Sequence, residues 1–180
     1  MTTLKELTWE AHKQAEQTQI MKLLLKNTIS NSLYCDLVYT KYLIYSEIES
    51  KITFRTPCLK RAPAALNDWQ NMRHSLPKCG GHLDAYLSYL RTLHVHTLYS
   101  HVYVHYLAPL YGGQLIKKVI QHRFPTTLYD FDDVAAAIAE VRQPLTVDMA
   151  PEANLAFEMT TKYYEQLYEQ HAHDQLHSTD

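Results

Sequence analysis

The histidine at position 12 is the first residue whose setting suggests chemistry. His12 lies in a helical pattern beside the apolar residues Leu4, Leu7 and Ala15, and Glu16 follows it one helical turn later. A carboxylate at that spacing can hold the second nitrogen of a metal-bound imidazole, and neutral imidazole is the usual protein ligand of haem iron. A single helical histidine is more often a surface or core residue than a ligand, so the spacing alone leaves both interpretations open.

A second unusual segment covers residues 100–121, SHVYVHYLAPLYGGQLIKKVIQ. Inside a helix, Pro109 removes the hydrogen bond to the carbonyl of His105 at a cost of about 3 kcal/mol. Gly112 and Gly113 each cost about 1 kcal/mol relative to alanine. We therefore expect a kink here. Glycines admit close approach by a neighbouring helix or by a flat ligand, and because such rule-breaking segments are typical of functional sites, the ligand is the favoured interpretation.

Two further histidines, His101 and His105, are spaced to chelate a metal from one helix face. A di-iron bundle would need Glu-x-x-His motifs and a zinc hydrolase His-Glu-x-x-His, and the sequence has neither. We expect this pair to line a polar pocket or to lie on the surface. The C-terminal histidines are expected to be exposed and without function; they are His171, His173 and His177.

The elements that must position these residues are predicted to be helices. Only four glycines occur in 180 residues, and the apolar positions recur with a period near 3.6. Thr3 and Glu6 form a capping-box pattern, and Pro77 to Gly81 read as a turn. The pattern predicts helices over residues 3–17, 18–28, 31–54, 62–74, 82–97, 98–122, 130–142 and 151–171. The fold class is therefore all-α, a single domain over residues 1–180 with a polar tail at 171–180.

Composition excludes several classes of protein. Hydrophobic residues at 46% and charged residues at 20% indicate a globular chain. A net charge of −2 provides no strong field for nucleic acid or an acidic membrane. Phosphate-loop, dinucleotide-binding and nucleophile-elbow motifs are absent. The polar N-terminus, the lack of an 18-residue apolar run and three cysteines without CxxC spacing predict a cytoplasmic protein without disulfides; the cysteines are Cys35, Cys58 and Cys79.

Three patterns together resemble the haem oxygenases. LKxxTxxxHxxAE at residues 4–16 resembles their proximal helix, YxxYLxxLxGGQxxKK at residues 103–118 resembles their distal helix, and EANxAF at residues 152–157 is similar to their last core helix. The pieces span nearly the whole chain in the family's order. The resemblance implies a helical bundle with haem between a proximal helix and a kinked distal helix.

The resemblance also implies a site. His12 would be the axial ligand of the iron, steadied by Glu16, while Gly112 and Gly113 would let the distal helix approach the porphyrin and His105 would lie on the distal side. The remaining haem-binding residues would be Lys5, Tyr103 and Arg142 near the propionates, which charge-assisted partners suit, and Met21 at the haem edge.

The family reaction cleaves haem, as cofactor and substrate at once, with O₂ and electrons to biliverdin, carbon monoxide and ferrous iron. No flavin or iron–sulfur motif is present, so a ferredoxin or a flavoprotein reductase would supply the electrons. Lys117 and Lys118 would suit an acidic ferredoxin. We expect a monomer.

This chain departs from the family at the distal helix. The usual Arg-Tyr-Leu-Gly-Asp-Leu-Ser-Gly-Gly is His-Tyr-Leu-Ala-Pro-Leu-Tyr-Gly-Gly at residues 105–113. Pro109 stands where the family has the aspartate that organises proton delivery; plant-type members also lack that aspartate. His105, Tyr111 or ordered water remain as candidates to deliver protons in its place. Thr160 stands where asparagine is common. Two alternatives stay open: a non-catalytic haem carrier, and a non-haem enzyme of the thiaminase or quinone-cofactor type.

Overall fold

A computed structural model describes residues 2–72 and 80–177. This part of the chain forms ten α-helices and three short 3-10 turns and contains no strand, which confirms the all-α prediction. None of the helices in these ranges is long and apolar enough to cross a bilayer. The helices are α1 (Leu4–Leu7), α2 (Trp9–Glu16), α3 (Gln19–Leu25), α4 (Asn31–Glu49), α5 (Arg61–Met72), α6 (Gly81–Thr92), α7 (Val95–Tyr111), α8 (Gly113–Ile120), α9 (Val134–Arg142) and α10 (Ala150–His177).

The first predicted helix is two helices in the structure. The capping box is confirmed, because Thr3 and Glu6 each accept the other's backbone N–H. Thr8 then leaves helical geometry at φ −108° and ψ 2°, and its hydroxyl donates to the carbonyl of Leu4 at 3.0 Å. A side chain that hydrogen-bonds the preceding turn competes with the helix, so the chain bends at Thr8 and α2 takes a new direction.

Helix α4 runs through the core and ends earlier than the predicted 31–54. Its buried residues follow the predicted 3.6-residue period and include Leu37, Ile44 and Ile48. The carboxylate of the final residue, Glu49, accepts the backbone N–H groups of Arg61 and Ala62 at 2.7 and 3.0 Å. Glu49 thereby satisfies donors at the start of α5 that have no partner within that helix.

The boundary between α6 and α7 lies near residue 93, not at the predicted 97. Lys51 explains this, because its ammonium group donates to the carbonyls of Leu90, Arg91 and Leu93 at 3.1, 2.6 and 2.9 Å. A cation at the last carbonyls of a helix stabilises its end. Of the predicted turn, residues 77–79 lie outside the described ranges; α6 itself begins at Gly81.

The prediction of an exposed tail histidine at position 171 is wrong. Helix α10 continues to His177, and His171 is only 7% exposed. Its Nε2 lies 2.9 Å from a carboxylate oxygen of Asp36, which is also buried and belongs to α4. The tail therefore continues the last core helix, and this contact fastens it to α4. His173 is exposed, as expected.

Cys35 and Cys58 are buried, whereas Cys79 lies outside the described residues. The three helices that matter most for the site are α2, α7 and α10. Helix α10 packs along both α2 and α7. It thereby sets the position of α2, which contains His12, relative to α7, which ends at the glycine pair.

Candidate active site

His12 projects from α2 into a partly open aromatic setting. Its side chain is 37% exposed, and Nε2 lies 3.6 Å from a carboxylate oxygen of Glu16. The ring stacks on Trp9 with a centroid distance of 5.9 Å and meets the ring of Phe157 edge-on at 5.5 Å. Its Nδ1 is buried and has no hydrogen-bond partner. The imidazole is thus held in place while one nitrogen is left unsatisfied, which is unusual for a buried polar atom.

Helix α2 is docked by small residues on the face next to His12. Ala11 and Ala15 pack against a cluster formed by Val104 of α7 with Ala156 and Phe157 of α10. Their short side chains allow close approach of the helices. The sequence placed Ala15 on this face, but Phe157 carried no sign that it contacts His12.

A tyrosine fixes the beginning of α2 to α7. The hydroxyls of Thr8 and Tyr103 lie 3.0 Å apart, and because the Thr8 proton goes to the carbonyl of Leu4, Tyr103 is the donor. Tyr103, predicted to lie near the propionates, therefore already has a partner in the protein. Its phenol oxygen can still accept a hydrogen bond, and its proton must turn from Thr8 to reach a carboxylate.

The consequence of Pro109 is visible on the far side of α7. Pro109 has no N–H to donate to the carbonyl of His105. That carbonyl instead accepts the hydroxyl of Tyr45 on α4, with an oxygen–oxygen distance of 3.3 Å, and Tyr45 is 2% exposed. A neighbouring helix thus supplies the donor that proline removes, which is one of the ways in which helices tolerate an interior proline.

The two glycines at the end of α7 have different surroundings. A Cβ at Gly112 would meet only the carbonyl of Ala108, at 3.5 Å, whereas a Cβ at Gly113 would lie 2.7 Å from the Tyr129 ring. Gly112 is exposed and Gly113 is buried. Tight packing therefore explains Gly113, and open backbone of the kind a flat ligand needs is found at Gly112.

The face of α7 that packs against α2 becomes exposed toward its C-terminal end. Val104 is buried, but Ala108, one turn later, is exposed, and Tyr111, two turns later, is 50% exposed. Small side chains and an uncovered aromatic ring on one stripe, next to Gly112, form a surface that suits an apolar ligand.

His101 and His105 are buried, at 0% and 7% exposure, so they do not lie on the surface. The phenol oxygen of Tyr86 lies 2.7 Å from Nδ1 of His101 and 2.8 Å from Nε2 of His105. Burial lowers the pKa of both imidazoles, most strongly that of His105. His105 is thus a neutral group inside α7, and no sequence signal identified Tyr86 as its partner.

Three predicted haem-binding residues lie around these helices. Lys5 is exposed on α1 and Met21 is half-buried on α3. Arg142 ends α9, with its guanidinium 5.7 Å from the centre of the Tyr111 ring, so it lies beside the exposed end of α7. Within the described ranges neither Lys5 nor Arg142 forms an ion pair, which leaves both cations available to carboxylates.

The residues present fit a haem. The Nδ1 of His12 is buried and unsatisfied, the backbone at Gly112 is open, and the cation of Arg142 lies 5.7 Å from the ring of the preceding residue, Tyr111. The imidazole suits the iron, and the uncovered apolar stripe suits the flat porphyrin. The unpaired cations suit the two propionates.

Comparisons with known proteins identify the family. The family model for heme oxygenase matches residues 1–143. Heme oxygenase 1 of Synechocystis is 29% identical over 199 residues, which cover 91% of this chain and 82% of the relative. The heme oxygenase of Porphyra purpurea is 25% identical over 202 residues, with coverages of 91% and 84%.

Solved structures give the same result. The crystal structure of heme oxygenase-1 from Synechocystis in complex with heme matches with a TM-score of 0.79 and 26% identity, over 98% of this chain and 97% of that chain. The heme oxygenase of Leptospira interrogans, at 20% identity and a TM-score of 0.78, shares the fold. With its family model matched over residues 1–143, this chain belongs to the haem oxygenase family, and it is a haem-degrading oxidoreductase rather than the non-catalytic carrier that the sequence left open.

Proposed function

We propose that this haem oxygenase binds haem through His12 and cleaves it with O₂ and externally supplied electrons to biliverdin, carbon monoxide and ferrous iron. The observation that carries the proposal is the His12 ring itself, held between Trp9 and Phe157 with one nitrogen unsatisfied. Haem supplies the redox chemistry and is also the substrate.

The protein's part is to hold and orient that substrate. One nitrogen of His12 would bind the iron, and the other would donate to Glu16, whose carboxylate fixes the ring orientation. Lys5, Tyr103 and Arg142 would bind the propionates. Gly112 would let the backbone of α7 approach the ring plane, and Met21 would cover an edge of the porphyrin.

A haem titration tests the axial ligand. We expect His12→Ala to change the absorption spectrum of the ferric complex, and added imidazole to restore it. Glu16→Gln keeps the ligand but weakens its orientation, and we expect haem affinity to fall by about 10- to 100-fold. His173→Ala removes an exposed histidine from α10 and serves as the control. An unchanged spectrum in His12→Ala would refute the assignment.

The electron donor is proposed to be an acidic protein such as a ferredoxin. Residues 17–35 and 85–129 contain no Asp or Glu, and the helices they include, α3 and α8, pack against each other. The lysines on and beside these helices form a surface that we name the basic face: Lys22, Lys26, Lys117 and Lys118, of which Lys117 is paired with the carboxylate of Asp130. The same helices expose Leu25 and Leu115, at 45% and 57%. Apolar residues among like charges are typical of a docking surface for a partner of opposite charge.

Charge removal tests this surface. We expect Lys22→Ala and Lys118→Ala each to raise the KM for reduced ferredoxin at low salt, and added salt to reduce the difference from the wild type. Arg91→Ala removes one positive charge from α6, which packs on α4 and α10, and should leave that KM unchanged. Equal effects of all three substitutions would contradict docking at the basic face.

A further inference from the structure

A continuous line of hydrogen bonds runs from the protein surface into α7. Nε2 of His101 lies 2.8 Å from a carboxylate oxygen of Glu152, and Nδ1 of the same ring lies 2.7 Å from the phenol oxygen of Tyr86. That oxygen lies 2.8 Å from Nε2 of His105. Four side chains from α6, α7 and α10 thus form one chain of proton-carrying groups.

Only one end of this line reaches solvent. The Glu152 side chain is 22% exposed, whereas that of His101 is 0% exposed; Tyr86 is fully buried and His105 nearly so. Burial raises the pKa of Tyr86 well above its usual range and lowers the pKa of both imidazoles. The three inner groups are therefore neutral near pH 7, and each can both donate and accept a proton.

The proton positions follow from the partners. The carboxylate of Glu152 can only accept, so His101 carries its proton on Nε2, and its Nδ1 is a lone pair. Tyr86 must then donate to Nδ1 of His101, and its oxygen accepts the N–H of His105 Nε2. Nδ1 of His105 is left as a lone pair at the inner end, so every proton in the line points toward the surface.

We propose that Glu152, His101, Tyr86 and His105 form a proton relay that serves the haem side of α7, an inference that rests on the proposed function. Delivery starts from the opposite tautomers, with a proton on Nδ1 of each imidazole and the Tyr86 hydroxyl donating to Nε2 of His105. Nδ1 of His105 gives its proton to an inner acceptor, Tyr86 protonates Nε2 of His105, Nδ1 of His101 protonates Tyr86, and a solvent proton passes through Glu152 to Nε2 of His101. One proton leaves solvent and one reaches the inner acceptor, and the line is left in the resting order described above until both rings return to their Nδ1–H tautomers.

The inner end lies where such a proton is needed. His105 precedes Gly112 by seven residues, which is two helical turns, so the two residues share one face of α7. Pro109, between them, has no polar side-chain atom. A neutral histidine at position 105 can both accept a proton and pass one on.

The proton order is testable without haem. Nitrogen-15 spectra of the histidine rings in the haem-free protein should show both His101 and His105 as neutral Nε2–H tautomers, with His101→Gln and His105→Gln used to assign the signals. A charged, doubly protonated ring at either position near pH 7 would overturn the relay, because such a ring has no lone pair with which to accept a proton.

Turnover provides the second test. Tyr86→Phe removes the central hydroxyl and keeps the ring, and we expect it to slow haem degradation by about 10-fold or more without changing haem affinity. Glu152→Gln, at the exposed end, should do the same. Tyr106→Phe is the matched control, since it removes another buried hydroxyl of α7, one that donates to Glu49 at 2.9 Å. Unfolding midpoints of all variants confirm that the proteins are folded.

The outcomes separate the two proposals. Wild-type rates in both Tyr86→Phe and Glu152→Gln would overturn the relay, and so would equal slowing in Tyr106→Phe, because a buried hydroxyl would then matter only for packing. A wild-type protein that binds haem but forms no biliverdin would instead refute the proposed function, and the tautomers of the haem-free protein would still decide the proton order.

Discussion

The contact between Tyr45 and the carbonyl of His105 makes a strong prediction about Pro109. Tyr45→Phe keeps the ring, which meets Tyr106 edge-on at 5.1 Å, and removes only the hydroxyl that serves this carbonyl. Leaving a buried acceptor without a partner costs about 1–3 kcal/mol. At 3.3 Å the bond is longer than usual for two oxygens, so we expect the low end of that range, about 1 kcal/mol of unfolding free energy.

The cost should depend on the residue at position 109. In Pro109→Ala the new N–H can donate to the carbonyl of His105, so this variant alone should be more stable, by up to about 3 kcal/mol. In that background Tyr45→Phe should cost little, which gives a coupling energy of about 1 kcal/mol.

Urea unfolding of the four haem-free proteins at 25 °C measures this cycle. Additive effects, within about 0.3 kcal/mol, would refute the claim that Tyr45 replaces the bond that proline removes.

Further predictions concern stability. Gly113→Ala should lower the unfolding free energy by about 1–3 kcal/mol because its Cβ would collide with a buried ring, whereas Gly112→Ala, in helical geometry and open space, should leave stability unchanged or slightly raised. His171→Ala removes the bond from α10 to Asp36 and should cost about 1–3 kcal/mol in urea unfolding; an unchanged midpoint would contradict this. Because burial lowers the pKa of His105 from 6.5, the unfolded chain takes up a proton that the folded protein does not. Stability should therefore fall below about pH 6.5, and a flat profile of urea midpoints would argue against a buried neutral imidazole.

Local sequence patterns were sufficient for most of the fold. The period of 3.6 residues identified the buried face of α4, and the capping box identified the beginning of α1. The errors occur where a distant side chain decides the outcome: Lys51 stabilises the end of α6 from 40 residues away, and Asp36 buries His171 from 135 residues away. Periodicity contains no information about such partners.

The site shows the same division. The types and spacing of His12 and Glu16 were enough to propose a metal-binding pair, and Pro109 was enough to predict an unsatisfied carbonyl at His105. The donor that satisfies it is Tyr45 on α4, and Phe157, one of the two rings that hold His12, comes from α10; both lie far along the chain from the residues they contact. The different roles of Gly112 and Gly113 could not be predicted from the sequence, because only the position of the Tyr129 ring distinguishes the two glycines.

The most direct test of the account is turnover of the haem complex. The protein is loaded with ferric haem, and ferredoxin, its reductase and NADPH are added under air with catalase while the absorption spectrum is followed. The account predicts loss of the Soret band together with growth of the broad red band of biliverdin. A Soret band that persists under these conditions would contradict it.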